Sequence, residues 1–204
     1  MMGTFLHFKS NALSAYSMRR EDVTLATATW LCSDCNWVLP GNGAVDLTLR
    51  ENQIRSPMLN GVMGTGLALV HDDFLEIFRQ STLDSFLSLG KVYASSGRLI
   101  QHWHTVNPRI KFILRGESNV AHRVCATCHR NIYYAAGKAY LVEPYPPESG
   151  IFGTDLFGIL APRSELTITT PKLRGVEVLE IPLVQEALDG LHSLEFYSQS
   201  SQPE

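Results

Sequence analysis

The sequence predicts an α+β fold made mainly of antiparallel strands, with few helices. Three observations carry this. Short segments rich in β-branched and aromatic residues recur along the chain and are broken by Gly, Pro and Asn clusters, the pattern of strands and turns. Only Asp73–Gln80 shows a strong helical period. All four cysteines fall into two CxxC pairs, LCSDCNW at 31–37 and VCATCHR at 124–130.

The elements follow in chain order. Phe5, Leu6 and Phe8 indicate a first short strand, followed by a polar stretch from Asn11 to Arg20. Val23–Leu31, rich in Thr and Val, reads as a strand running into the first CxxC. Trp37-Val38-Leu39 is its return strand, closed by the turn residues Pro40-Gly41-Asn42-Gly43. Asp46–Ile54 alternates roughly and is ended by Pro57. Asp73 stands three residues before Glu76, a capping-box spacing, with Asp72 adding negative charge at the positive helix end. Phe74, Leu75, Ile77 and Phe78 form the apolar face of that helix. Thr82–Leu89 reads as one or two further helical turns ending at Gly90.

Strands are then expected at Lys91–Ala94, Leu99–Val106 and Arg109–Leu114, the last alternating between two faces, and at Asn119–Val124 leading into the second CxxC. Asn131–Val142 reads as a hairpin around Ala136-Gly137-Lys138, and Pro144–Gly150 as a loop. Glu165–Thr170 and Val176–Ile181 read as strands, with at most a short helix over Pro171–Gly175 between them. Val184–Leu191 suits a last short helix, and the polar segment 198–204 a disordered tail. The expected organisation is one domain over 1–197.

Hydrophobic content of 45% and charged content of 18% suit a folded globular chain, and a net charge of −3 is too mild to steer it to nucleic acid or anionic lipid. The first twenty residues lack the continuous apolar stretch of a secretory signal, and the weakly apolar run Gly61–Val70 is about half the length that crosses a bilayer. A cytoplasmic, reducing location without membrane contact is therefore expected, where disulfides are rare.

Against that background the cysteines point to metal. A CxxC on a tight turn aims two thiolates at one point, and two such turns complete a tetrahedral S4 shell. A strand leads into each pair and another leads out, as in a zinc ribbon. Zinc ribbons usually place Gly after the second cysteine, where φ is positive; here Asn36 and His129 stand there, two residue types that tolerate that region. The expectation is one structural Zn2+ per chain on Cys32, Cys35, Cys125 and Cys128, in a ribbon formed by 32–35 and 125–128 and split by a long insertion. The alternative is redox or disulfide chemistry. A redox CxxC opens a helix, and Trp37-Val38-Leu39-Pro40-Gly41 is a poor helix start.

Other residues carry less. His102 and His104 share a strand face and could bind a metal, but no third ligand stands at useful spacing, so a surface or core pair is expected. His122 and His129 flank the second CxxC, whose four-thiolate shell is already full. Asp72, Asp73 and Glu76 could suggest a carboxylate metal site, but a helix cap accounts for the same residues. Gly61, Gly64 and Gly66 lack the Lys-Ser/Thr of a P-loop, and no GxSxG or HExxH occurs, so no catalytic residue is assigned and no enzyme activity is expected.

The two separated CxxC turns, the acidic-capped FLEIF segment and the LTITTPKLRG stretch together resemble the bacterial double-CXXCG proteins, over about residues 25 to 185. Both family glycines are replaced, by Asn36 and His129. The resemblance implies an immunity protein that binds and neutralises a cognate protein toxin in the cytoplasm without catalysis, and it carries over only the four cysteines as ligands. The alternative is a zinc-ribbon nucleic-acid-binding or regulatory protein, but the first turn tip, Ser33-Asp34, is acidic and the second, Ala126-Thr127, is neutral, so nucleic acid is not the expected partner.

Overall fold

The computed structural model describes residues 4–10, 31–35, 37–38, 43–49, 58–62, 67–129, 131–154, 158–167 and 173–186, with backbone alone at 60–62, 117–123 and 131–136. Strands dominate it, in three sheets, so the architecture is the expected α+β type.

β1 (Phe5–Ser10) lies inside the first sheet, antiparallel to both β11 (Ile159–Pro162) and β12 (Val176–Ile181). β10 (Phe152–Thr154) pairs with β11 and, in parallel, with β7 (Lys111–Phe112). The FLHF run is buried at every position because β1 separates two cores. Leu6 and Phe8 pack with Phe74, Ile77 and Phe78, whereas Phe5 packs with Phe112, Phe152 and Leu160. A strand covered on both faces reads as a continuous apolar run.

The second sheet has the order β2 (Leu47–Leu49), β5 (Leu87–Ala94), β6 (Leu99–Pro108), β4 (Leu67–His71), β3 (Leu59–Val62). Its strands are antiparallel except for the β2–β5 pair. The third sheet sets β9 (Asn131–Val142) between β8 (Arg115–Val124) and the short parallel strand β13 (Leu183–Val184).

Several expectations are corrected. The helix over Asp73–Gln80 is two helices, α1 (Asp72–Leu75) and α2 (Gln80–Phe86), with Phe78 in a β-bridge to Leu166 between them. The cap is His71, whose side chain accepts the Asp73 N–H, so the helix starts two residues earlier than a capping box at Asp73 would have it. It stops because residues around Glu165 supply competing backbone partners: Arg79 N–H donates to the Glu165 carbonyl and Thr167 N–H to the Ile77 carbonyl. α2 ends at Phe86 instead of Gly90, because Leu87 to Gly90 pair with β6. Gly90 lies inside β5, where the Val45 carbonyl passes too close to admit a Cβ.

Asn131–Val142 is a single strand, and Gly137 marks a bulge. The register passes from Gly116↔Ala139 to Ser118↔Ala136, leaving an extra residue on β9, and Gly137 takes φ +81° there. In place of alternation, residues 111 to 115 are buried throughout, Arg115 included. Of the expected strand Glu165–Thr170, Glu165 ends a 3-10 turn (Arg163–Glu165), Leu166 makes the bridge to Phe78, and 168–170 lie outside the described residues; Val184 ends a strand where a helix was expected. The β3–β4 hairpin, β10 and β11 had no counterpart in the sequence reading. The expected strand Val23–Leu31, apart from Leu31, residues 50–54, residues 187–191 and the tail 198–204 lie outside the described residues.

The apolar face expected for the helix is nonetheless buried: Phe74, Leu75, Ile77 and Phe78 are at most 7% exposed. The Phe78 ring stands edge-on to Phe8 at 5.5 Å and to Phe74 at 5.6 Å. Phe78→Ala is expected to lower unfolding free energy by roughly 3–5 kcal/mol, measured by urea denaturation, because the three-ring stack cannot collapse without moving β1.

Candidate metal centre

Each CxxC occupies the end of an antiparallel pair. The first is closed by the Leu31↔Val38 bridge and by the Cys32 N–H donating to the Trp37 carbonyl at 2.7 Å. The second joins β8 to β9, whose last register pair is Val124↔Asn131. His129 N–H donates to the Cys125 carbonyl at 3.0 Å, and His129 takes φ +55°, the conformation expected after the second cysteine. Asn36, its counterpart, lies outside the described residues.

The turns face each other and bring together Cys32, Cys35, Cys125 and Cys128, with all four Sγ atoms within 4.8 Å of one another. Cys32 lies 3.6 Å from Cys125, and Cys35 lies 3.6 Å from Cys128. All four are free thiols. A disulfide would need about 2.05 Å, whereas a tetrahedral S4 shell with bonds of about 2.3 Å needs sulfur–sulfur edges of about 3.8 Å. The donor set therefore fits one tetrahedral metal ion, and its chemistry suits Zn2+.

Burial divides the site. Cys32 and Cys125 are each 1% exposed, while Cys35 and Cys128 are half-buried. Burial alone would raise the Cys32 thiol, but the backbone N–H groups of Cys35 and Asp34, with the neighbouring thiols, bring it down to about 7. Those amides favour the thiolate, the form that binds metal. Burial raises the Cys35 thiol, against the N–H of Trp37. Asp34, at the first turn tip, accepts from the Ala126 N–H and from the Cys125 thiol, both at 3.3 Å, and so links the two turns. Sequence spacing gave no sign of this role for Asp34, because the contact spans more than ninety residues.

Four protein thiolates leave no coordination position for water or substrate, so a metal held here is structural. It joins the turn after Leu31 to the β8–β9 hairpin.

The histidines lie differently from expectation. His102 and His104 do acquire a third partner, Asp72. His104 Nε2 lies 2.6 Å from Asp72 Oδ1, and His102 Nδ1 lies 2.9 Å from Asp72 Oδ2. Burial acts to raise the Asp72 carboxyl, but the two imidazoles outweigh it and hold it below the usual range. The link follows from pairing: β4 lies beside β6 with His71↔Trp103 in register, so Asp72, the residue after His71, meets His102 and His104 on either side of Trp103. His129 is exposed beside the cysteine cluster, and the His122 side chain lies outside those described.

No protein-family model matches the chain, and no curated protein matches its sequence. Among the described residues, no helix is long and apolar enough to cross a membrane.

Proposed function

We propose that this chain is a non-catalytic immunity protein that binds and neutralises a cognate protein toxin, on a scaffold held by one structural Zn2+. The observation that carries the reading is the closure of two distant CxxC turns on a single four-sulfur cluster, the feature on which the resemblance to the double-CXXCG immunity proteins rests. A blocking protein requires a rigid framework and a complementary surface, with no reacting group of its own. Zinc on Cys32, Cys35, Cys125 and Cys128 supplies the rigidity. The acidic Asp34 at the turn tip argues against a phosphate backbone as ligand.

The test is co-expression with the product of the adjacent reading frame as candidate toxin. Restored growth and a stoichiometric complex are the expected results. No complex and no rescue, together with a salt-sensitive gel shift on generic duplex DNA or RNA, would replace this reading with that of a zinc-ribbon nucleic-acid-binding or regulatory protein.

A further inference from the structure

The cysteine cluster is asymmetric in a way that a closed metal shell does not require. Cys32 and Cys125 are each 1% exposed, whereas Cys35 and Cys128 are only half-buried. Each turn therefore contributes one inner and one outer sulfur. The inner pair meets across the two turns at 3.6 Å, and so does the outer pair.

In the metal-bound state all four sulfurs are thiolates, the form that attacks an electrophile. Access then decides which of them an oxidant in solution meets first. Those two, Cys35 and Cys128, belong to different turns and stand 93 positions apart in the chain. Their contact has only to shorten from 3.6 Å to the roughly 2.05 Å of a disulfide. Asp34 holds the turns in place meanwhile, since its carboxylate accepts the Ala126 N–H across the same gap at 3.3 Å.

We infer that the site is a redox-responsive clamp, in which hydrogen peroxide joins Cys35 to Cys128 and the cross-turn disulfide replaces the metal. This clamp presupposes the four-thiolate zinc site and is independent of any toxin. One outer thiolate attacks a peroxide oxygen, the O–O bond breaks, and a sulfenic acid and hydroxide form. The other outer thiolate attacks that sulfur, the S–S bond forms, and a second hydroxide leaves. The two sulfurs lose two electrons to the peroxide, and two protons from solvent turn both hydroxides into water. Cys32 and Cys125 are then the only ligands left, too few for a structural shell. A disulfide within either CxxC would let the turns part. The cross-turn bond keeps them together and restricts the unfolded chain over a loop of more than ninety residues. A thiol reductant of the glutathione type restores the ligands.

The test treats the full zinc-loaded chain with one equivalent of hydrogen peroxide, blocks the remaining thiols in denaturant and maps disulfides by peptide mass spectrometry. The Cys35–Cys128 bond should outnumber every other disulfide at least fivefold, with Cys32 and Cys125 recovered as blocked thiols. Zinc release, followed with a chromogenic chelator, should match disulfide formation one to one. Dithiothreitol with added Zn2+ should reverse both. The oxidised, metal-free protein should melt above the reduced protein held metal-free by chelator. A bond between Cys32 and Cys35, or between Cys125 and Cys128, as the main product overturns the inference. So does sulfinic acid without a disulfide, or survival of all four thiols in a hundredfold excess of peroxide. A chain isolated without zinc removes the metal from the account, and the same peptide map then still upholds or overturns the cross-turn bond.

Discussion

Cys125→Ser is expected to unfold the protein under conditions where the wild type is stable. Cys125 is 1% exposed and one of four sulfurs that meet across the two turns. Binding of a structural Zn2+ contributes on the order of 10 kcal/mol and is coupled to folding, which is comparable to the whole stability of a typical domain. A hydroxyl in place of the thiolate removes one ligand and leaves three sulfurs around a weakened ion. Thermal melting with and without chelator checks this: chelator should lower the wild-type midpoint to near that of the variant and leave the variant almost unchanged. Protection against a toxin would then fail through unfolding. Charge reversal at exposed acids such as Glu76 or Glu148 should keep the midpoint and slow association instead. A Cys125→Ser protein that stays folded and releases its partner would place the metal inside the interface. One that stays folded and still binds would remove zinc from the account.

The second large effect is acid destabilisation through His7. This residue lies on β1 at 2% exposure, with Thr154 Oγ1 3.3 Å from its Nε2 and Gly158 pressed against the ring. Burial, and to a smaller extent the Lys9 charge, lower its pKa to about 3. The unfolded chain has the ordinary value near 6.5. Above pH 6.5 both states are neutral here and the group has no effect. As pH falls below 6.5 the unfolded state takes a proton that the folded state refuses, so stability falls by about 1.4 kcal/mol per pH unit until about pH 3. At pH 4.5 the loss is about 3 kcal/mol. Thiolate protonation also weakens metal binding in acid, so the contribution of His7 is read as a difference. Urea denaturation of wild type and His7→Gln at pH 7 and pH 4.5 should show the variant losing about 3 kcal/mol less over that interval. Equal losses would mean that His7 takes its proton within the fold.

The two CxxC pairs were legible because each turn is local in sequence: two thiols three positions apart, followed by a residue type that tolerates positive φ, as His129 does. The strands β1, β12 and much of β6 were legible for a similar reason, since their residue types favour extended backbone. The apolar face of Phe74, Leu75, Ile77 and Phe78 was also visible, and the fold buries it as expected. What failed was the extent of the helix beneath it, because Arg79 and Ile77 find backbone partners at Glu165 and Thr167 that no local pattern encodes. The β3–β4 pair was hidden because Gly61, Gly64 and Gly66 interrupt any local strand pattern, and its hydrogen bonds run between the two strands and, from β4, to β6.

By itself, then, the sequence determined the sheet-dominated class, the membership of the cysteine cluster, the positive φ at His129 and the burial of the Phe74–Phe78 face. Each depends on residue type and on neighbours a few positions away. Only the tertiary structure decided that Cys32 meets Cys125, that Asp34 links the two turns, that Gly137 is a bulge and not a hairpin tip, and that Asp72 stands between His102 and His104. Those outcomes depend on strand register. A shift of one residue turns every side chain to the opposite face, and register is set by the sum of contacts across the sheets, which no short window of sequence contains.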